Sequence, residues 1–570
     1  MASPQASPFS TSAGTTIRMA TAPQAKGRPF VSGGYPSYES VSGGYPSYET
    51  APLLEPEQFY SGVSYLAEPV KQAHHRLIAH LTMLEKISPY SCEFFGTFLL
   101  TFTVITVTSF SKQGWGATAI AFAVMALVYS MGPMSGGHFN PAVSLACALT
   151  GKVTWWQAFG YMFCQYWGGL FAGLMCHNVF YQVTLNYGPL PGYNWFAASL
   201  CEAAFTALLC FVLLSCLYSE RTNPRTDGNQ FYALAIGFVV LAGGYASGDI
   251  SGGIFNPCVA LGVQMMRTDD IFLGFEKVFQ YAFSELLGAC IGAFLYFTIR
   301  IEEFEIRGLA DEERESYLMR YIPSLGHRLL AEFLGTFVVV FTFCVSILMK
   351  SSAVAWSTGA IVMSMTYSLS NVSGAHFNPA VTLAVMFSGR RKLPAADGLF
   401  YMLIQLLAGC LAGAICSFTK APAVQRMPTA DSTWGQVFAA ELIFTFILAY
   451  VMLACSTAEG TIADHGMTRQ NFYHALAIGA CYIAGGIAIA ALTGGSINPA
   501  ITIGLASATA SLPSSANPTI DYWASWLVTS PSYGDFLFYT VFQLCGAGIA
   551  AFLFHITHAK EYGTHLEMGV

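Results

Sequence analysis

The sequence predicts an all-α polytopic membrane protein made of two similar halves, and three observations carry this. Charged residues are only 10% of the 570, and mean hydropathy is +0.51; a soluble domain carries roughly 25% charged residues. Twelve apolar stretches are each long enough for a hydrocarbon core, which takes about 20 helical residues. One short box also recurs four times: SGGHFNPAVSLA at 135–146, SGGIFNPCVALG at 251–262, SGAHFNPAVTLA at 373–384 and TGGSINPAITIG at 493–504. The gaps between its asparagines are 116, 122 and 120 residues, so the chain reads as two copies of an internally doubled unit.

Residues 1–90 come first. They are rich in Ser, Gly, Pro and Tyr, and VSGGYPSYE recurs at 31–39 and 41–49. Such a composition buries no core, so a disordered tail is expected. Within it, Glu49-Thr-Ala-Pro-Leu53-Leu54 has the form of an acidic dileucine sorting signal, a short pattern that also arises by chance. Residues 1–30 lack the apolar core of a signal peptide, so the first span is expected to direct insertion.

The spans follow near 91–110, 117–135, 156–181, 197–218, 231–250 and 277–299 in the first half. In the second they lie near 328–348, 354–371, 397–419, 435–456, 471–492 and 534–556. A charged linker at 301–327 joins the unit at 91–300 to that at 328–557, and 558–570 form a short tail. With the N-terminus inside, 19 Lys and Arg fall on inner segments and 6 on outer ones. The positive-inside rule therefore puts both termini in the cytosol. Within each half the boxes follow spans two and five, so they enter from opposite faces as an inverted repeat, with the special site near the midplane.

Asn is a strong helix N-cap and Pro suits the first helical position, so Asn-Pro starts a helix. About ten apolar residues follow, and at 1.5 Å each they span half a bilayer. Two such half-helices meet tip to tip, each with roughly half a positive charge at its N-terminus. Each asparagine is expected to turn its amide NH2 to the lumen. The result is a narrow uncharged path with donors and a positive field at its centre, which hinders cations and protons. The box residues are Asn140, Pro141 and Ala142; Asn256, Pro257 and Cys258; Asn378, Pro379 and Ala380; Asn498, Pro499 and Ala500.

On these boxes the chain resembles the aquaporin (major intrinsic protein) family, twice over, from about 90 to 556. Cys-Glu93-Phe-Phe-Gly-Thr-Phe and Ala-Glu332-Phe-Leu-Gly-Thr-Phe are similar to the family's first span, and Glu202 and Glu441 match its fourth. The resemblance implies that these four glutamates support the half-helix loops, with Gln165 and Gln405 beside them. They are the only core acids expected. It also implies passive transport of water and small uncharged solutes across a bilayer, with glycerol, urea and ammonia as candidates. Four pores per assembly follow, supplied here by a dimer of tandem chains.

The chain departs from the family at its outer constriction, where an Arg normally follows the second Asn-Pro-Ala. Counting from each asparagine, the filter positions are Ile120, Gly244, Gly253 and Val259 in the first half. In the second they are Thr358, Gly486, Gly495 and Ile501. A wide, weakly selective apolar pore is expected. The one polar group, Thr358, favours the second half for polar solutes. His138 and His376, two before the first asparagine of each half, are expected in the cytosolic vestibules.

Two rival readings stand beside the channel. A twelve-span secondary transporter needs binding charges in its core. A non-conducting membrane scaffold would fit the abnormal filters. The sequence holds no Walker loop, dinucleotide fingerprint or metal-ligand spacing. No enzyme, cofactor or metal is implied, and no basic patch suggests nucleic acid. The plasma membrane and endosomal or vacuolar membranes all fit.

Overall fold

A computed structural model describes residues 68–111, 114–180, 185, 188–224, 228–266, 274–349, 351–417, 433–458, 472–510, 533–559 and 562. The N-terminal repeat and the dileucine pattern lie outside the described residues. The first half contains α1 (Glu68–Phe110), α2 (Gly116–Ser135), α3 (Pro141–Leu149), α4 (Trp155–Val179), α5 (Trp195–Leu213), α6 (Tyr232–Ser251), α7 (Pro257–Gln264) and α8 (Phe275–Ile299). The linker folds as α9 (Glu302–Glu305) and α10 (Asp311–Arg320). The second half repeats the pattern with α11 (Leu325–Leu348), α12 (Val354–Ser373), α13 (Pro379–Phe387), α14 (Ala395–Ser417), α15 (Trp434–Met452), α16 (His474–Thr493), α17 (Pro499–Ala510) and α18 (Tyr533–Thr557).

Twelve of these helices are long enough to span a bilayer. Ten are also apolar enough; α4 and α12 match the others in length but are more polar. Apart from the two linker helices, the remaining four, α3, α7, α13 and α17, are the half-helices. Each begins at the Pro of a box. Asn140, Asn256 and Asn378 cap theirs in an extended conformation, near φ −155°. In the first half each half-helix packs on a long helix of the opposite repeat, α3 on α8 and α7 on α4. That exchange locks the two inverted repeats together.

Close packing rests on glycine. A Cβ on Gly292 of α8 would sit 2.5 Å from the Ala207 carbonyl of α5, and one on Gly413 of α14 would sit 1.8 Å from the Gly504 carbonyl of α17. Small residues let backbones approach where lipid gives helices no hydrophobic reason to associate.

The two halves meet through α5, α6, α11 and α12. The spans on α5, α11 and α6 are 83%, 72% and 67% buried, against 33–44% for the other seven apolar spans, so they form the centre of the molecule. Hydroxyls join α12 to α6: Ser357 donates to the Ala242 carbonyl (2.8 Å) and Ser364 to the Ala235 carbonyl (2.9 Å). Phe231 stacks on Tyr367 with centroids 4.3 Å apart.

The linker is more than a surface helix. Glu303 is buried and accepts from Lys152 Nζ (3.0 Å), Ser219 Oγ (2.7 Å), Glu220 N (3.1 Å) and Arg221 N (3.2 Å). Burial disfavours its charge, but Lys152, Ser219 and Arg300 outweigh it and hold the carboxyl below the usual carboxylate range. Arg300, fully buried, donates to Thr222 Oγ1 (2.9 Å) and to the Ser368 carbonyl of α12. Glu303 of the linker thus ties together the loops after α3 and α5, and Arg300 at the end of α8 joins them to the second half.

Candidate functional site

In each half two box asparagines face one another across the midplane. Their side-chain oxygens cap the half-helices, accepting from Ala142 N (2.9 Å), Cys258 N (3.0 Å), Ala380 N (2.9 Å) and Ala500 N (2.9 Å). The amide nitrogens reach across. Asn140 donates to the Phe255 carbonyl (2.7 Å) and Asn256 to the Phe139 carbonyl (2.9 Å). Asn378 donates to the Ile497 carbonyl (3.0 Å) and Asn498 to the Phe377 carbonyl (3.0 Å). One N–H of each asparagine is therefore spent on clamping the opposite box, where the sequence suggested that the whole NH2 faced the lumen.

The residue before each asparagine makes this clamp possible. Phe139, Phe255, Phe377 and Ile497 all have positive φ, between 41° and 52°. Bulky side chains rarely adopt that conformation, which costs about 1–3 kcal/mol. The same four residues present the carbonyls that the opposing asparagines hold.

Buried carboxylates hold the loops. Glu93 accepts from Ser135 Oγ (2.6 Å), His138 N (2.9 Å), Phe139 N (2.7 Å) and Gln165 Nε2 (2.7 Å). Glu332 repeats this with Ser373, His376, Phe377 and Gln405. Glu202 accepts from Ser251 Oγ (2.6 Å), Ile254 N (3.1 Å) and Phe255 N (2.7 Å). Glu441 accepts from Ile497 N (3.1 Å) and Gln543 Nε2 (2.8 Å).

The fourth arrangement corrects the expected count of core acids. Where Glu93, Glu332 and Glu441 each have a glutamine, Glu202 faces a fifth buried acid, Glu285 on α8. Glu285 has no glutamine beside it; its carboxyl meets that of Glu202 and the Asn256 backbone N–H.

The lumens differ between the halves. In the first, a cavity of about 50 Å³ is lined by Ile120, Gly253, Val259, Val240, Asn140, Asn256 and His138. It touches three of the four expected filter positions, both asparagines and the histidine. Gly244 does not line it: a Cβ there would meet the Ala117 Cβ at 2.8 Å. The missing side chain is filled by a neighbour rather than left as width, so this lumen is narrower than expected. In the second half, a cavity of about 340 Å³ is lined by Thr358, Gly486, Gly495 and Tyr482, and neither asparagine touches it. Ile501 is buried away from it. Thr358 Oγ1 is turned back onto the Val354 carbonyl of its own helix (2.8 Å).

His138 is buried, with Nδ1 3.0 Å from Ser144 Oγ and Nε2 2.7 Å from the Tyr218 hydroxyl. His376 has Thr382 Oγ1 3.2 Å from Nδ1. Cys258 is fully buried against Gly169 of α4 and does not line the cavity, as a packing role requires.

Two residues escaped the sequence reading. Tyr482 lies 16 residues before Asn498, as Val240 lies before Asn256, so aligning the halves would have exposed the exchange. Glu285 was legible as an acid inside a span.

Comparison with known proteins agrees with this architecture. The family model for major intrinsic proteins matches residues 80–296 and again 322–554. The chain is 30% identical over 217 residues to a probable aquaporin NIP7-1 of Arabidopsis thaliana, covering 37% of this chain and 76% of that protein. It is 30% identical over 240 residues to aquaporin NIP1-1 of Zea mays, covering 40% and 80%. Among solved structures, the aquaglyceroporin of Plasmodium falciparum matches with 20% identity and a TM-score of 0.33, over 40% of this chain and 99% of that one. The chain belongs to the major intrinsic protein family, a family of membrane channels rather than enzymes, and carries the family's unit twice in tandem.

Proposed function

We propose that the first half conducts water and small uncharged solutes through its Asn-Pro-Ala and Asn-Pro-Cys boxes. One observation carries this: a single cavity touches three of the four expected filter positions, both asparagines and His138. One N–H of Asn140 and one of Asn256 meet no protein acceptor among the described residues, so they are free to receive a passing oxygen. The rest of the wall is mostly apolar. With Val259 where the family carries an arginine, cation exclusion rests on the two helix N-termini and the asparagine donors.

The narrow cavity favours water over glycerol, and urea and ammonia belong in the same trial. Both termini are assigned to the cytosol from the distribution of basic residues. Either the plasma membrane or an endosomal or vacuolar membrane fits the chain. A dimer of tandem chains completes a four-unit ring.

Stopped-flow light scattering on proteoliposomes tests this with water, glycerol, urea and ammonia gradients. Wild type is expected to pass water well above empty liposomes. Asn256→Asp removes a donor and puts a charge at the centre, and is expected to lower the rate. Wild-type rates equal to those of empty liposomes for all four would leave the scaffold reading in its place.

A further inference from the structure

We propose that the second half is closed at its centre by Tyr482, so that each chain carries one conducting pore and one sealed one. The hydroxyl of Tyr482 accepts from Asn378 Nδ2 at 3.1 Å and from Asn498 Nδ2 at 3.2 Å. Those amides already donate to the Ile497 and Phe377 carbonyls. The two asparagines have four N–H groups between them, and the protein accepts all four. In the first half, among the described residues, it accepts only two. A solute reaching the centre of the second half finds no free asparagine N–H to replace its lost hydration, only the O–H of the tyrosine that fills the space, which makes desolvation costly.

Volume gives the same answer independently. The tyrosine is 4% exposed, so its ring fills the space it occupies. The outer cavity of about 340 Å³ is lined by Tyr482 but by neither asparagine, so it ends where the ring begins. Val240 occupies the matching position of the first half, and there the cavity runs past both asparagines. A phenol in place of an isopropyl group separates the two outcomes. The sealed half still serves the molecule, since its α11 and α12 cover α5 and α6 of the conducting half.

This inference places conduction in the first half and so rests there on the function proposed above; the seal itself rests on geometry alone. The experiment is water stopped-flow on proteoliposomes with the full-length chain, normalised to incorporated protein. Tyr482→Val is expected to raise permeability about twofold, because independent pores add. Val240→Tyr is expected to lower it to that of empty liposomes. The Val240→Tyr/Tyr482→Val double variant is expected to conduct again, which also shows that the tyrosine at 240 has not unfolded the chain. A Tyr482→Val rate equal to wild type would overturn the proposal, as would a Val240→Tyr variant that keeps half the wild-type rate. If wild type is silent, the conducting role of the first half fails, yet a gain on Tyr482→Val still establishes the seal.

Discussion

A carboxyl group inside a membrane protein is costly unless its oxygens are satisfied. Glu93 shows the solution in full, with four donors including Gln165. Glu285 departs from it: it stands across from Glu202, sharing a side-chain hydrogen bond with that carboxyl and accepting from the Asn256 backbone N–H. Two carboxylates this close do not both ionise readily, so the pair has to keep a proton that a carboxyl–amide pair does not need. Gln543 in the second half shows what fits instead, donating to Glu441 (2.8 Å) and to Ser496 Oγ (3.1 Å). Glu285→Gln is therefore expected to stabilise the first half by about 1 kcal/mol. A detergent melting curve checks this: the midpoint should rise, and a fall would mean that the acid has a use that a glutamine does not meet.

At the scale of elements, the half-helices depend on backbone contact with their neighbours. Gly413→Leu would force a side chain into the Gly504 carbonyl and displace α17 from α14. Overpacking costs about 1–3 kcal/mol even where the backbone can shift. The expected result is loss of monodisperse protein on size exclusion. Gly435→Ala is the control, because a Cβ there meets nothing within 4 Å. The linker makes a second prediction. Glu303 has its carboxyl held below the ordinary range, so its contribution to stability is complete above the unfolded-state value. It is lost as pH falls through the lower, folded value. Glu303→Gln should therefore melt lower than wild type at neutral pH. The gap should close under strong acid, and a gap unchanged down to the acid end would exclude the ion pair with Lys152 as its source.

For the whole molecule, one interface is filled within the chain and its counterpart is open. Ala242 of α6 is buried under α12, whereas the equivalent Ala484 of α16 is exposed. Likewise Ser364 of α12 is buried, and Ala126, its equivalent on α2, is exposed. A second chain related by a two-fold axis would place its α16 on α2 and receive the first chain's α16 on its own α2, closing the ring. Native mass spectrometry should find twice the chain mass, and Ala484→Trp should reduce it to one. A monomeric wild type would overturn this assembly.

Much of this was legible in the sequence because it depends on local chemistry. Asn-Pro caps a helix wherever it stands, apolar length sets the spans, and the fourfold spacing of the boxes exposes the doubled repeat. Those features determined the class, the order of elements and the central asparagines. Tertiary structure decided what the sequence could only suggest. Gly244 leaves a gap only if nothing else enters it, and Ala117 does. Thr358 offers a donor only if its hydroxyl proton is free, and that proton goes to its own backbone. Tyr482 reads as one more apolar residue in a span until folding brings Asn378, 104 residues away, and Asn498 to its hydroxyl. Width and closure depend on distances between segments far apart in the chain, so only the packed molecule determines them.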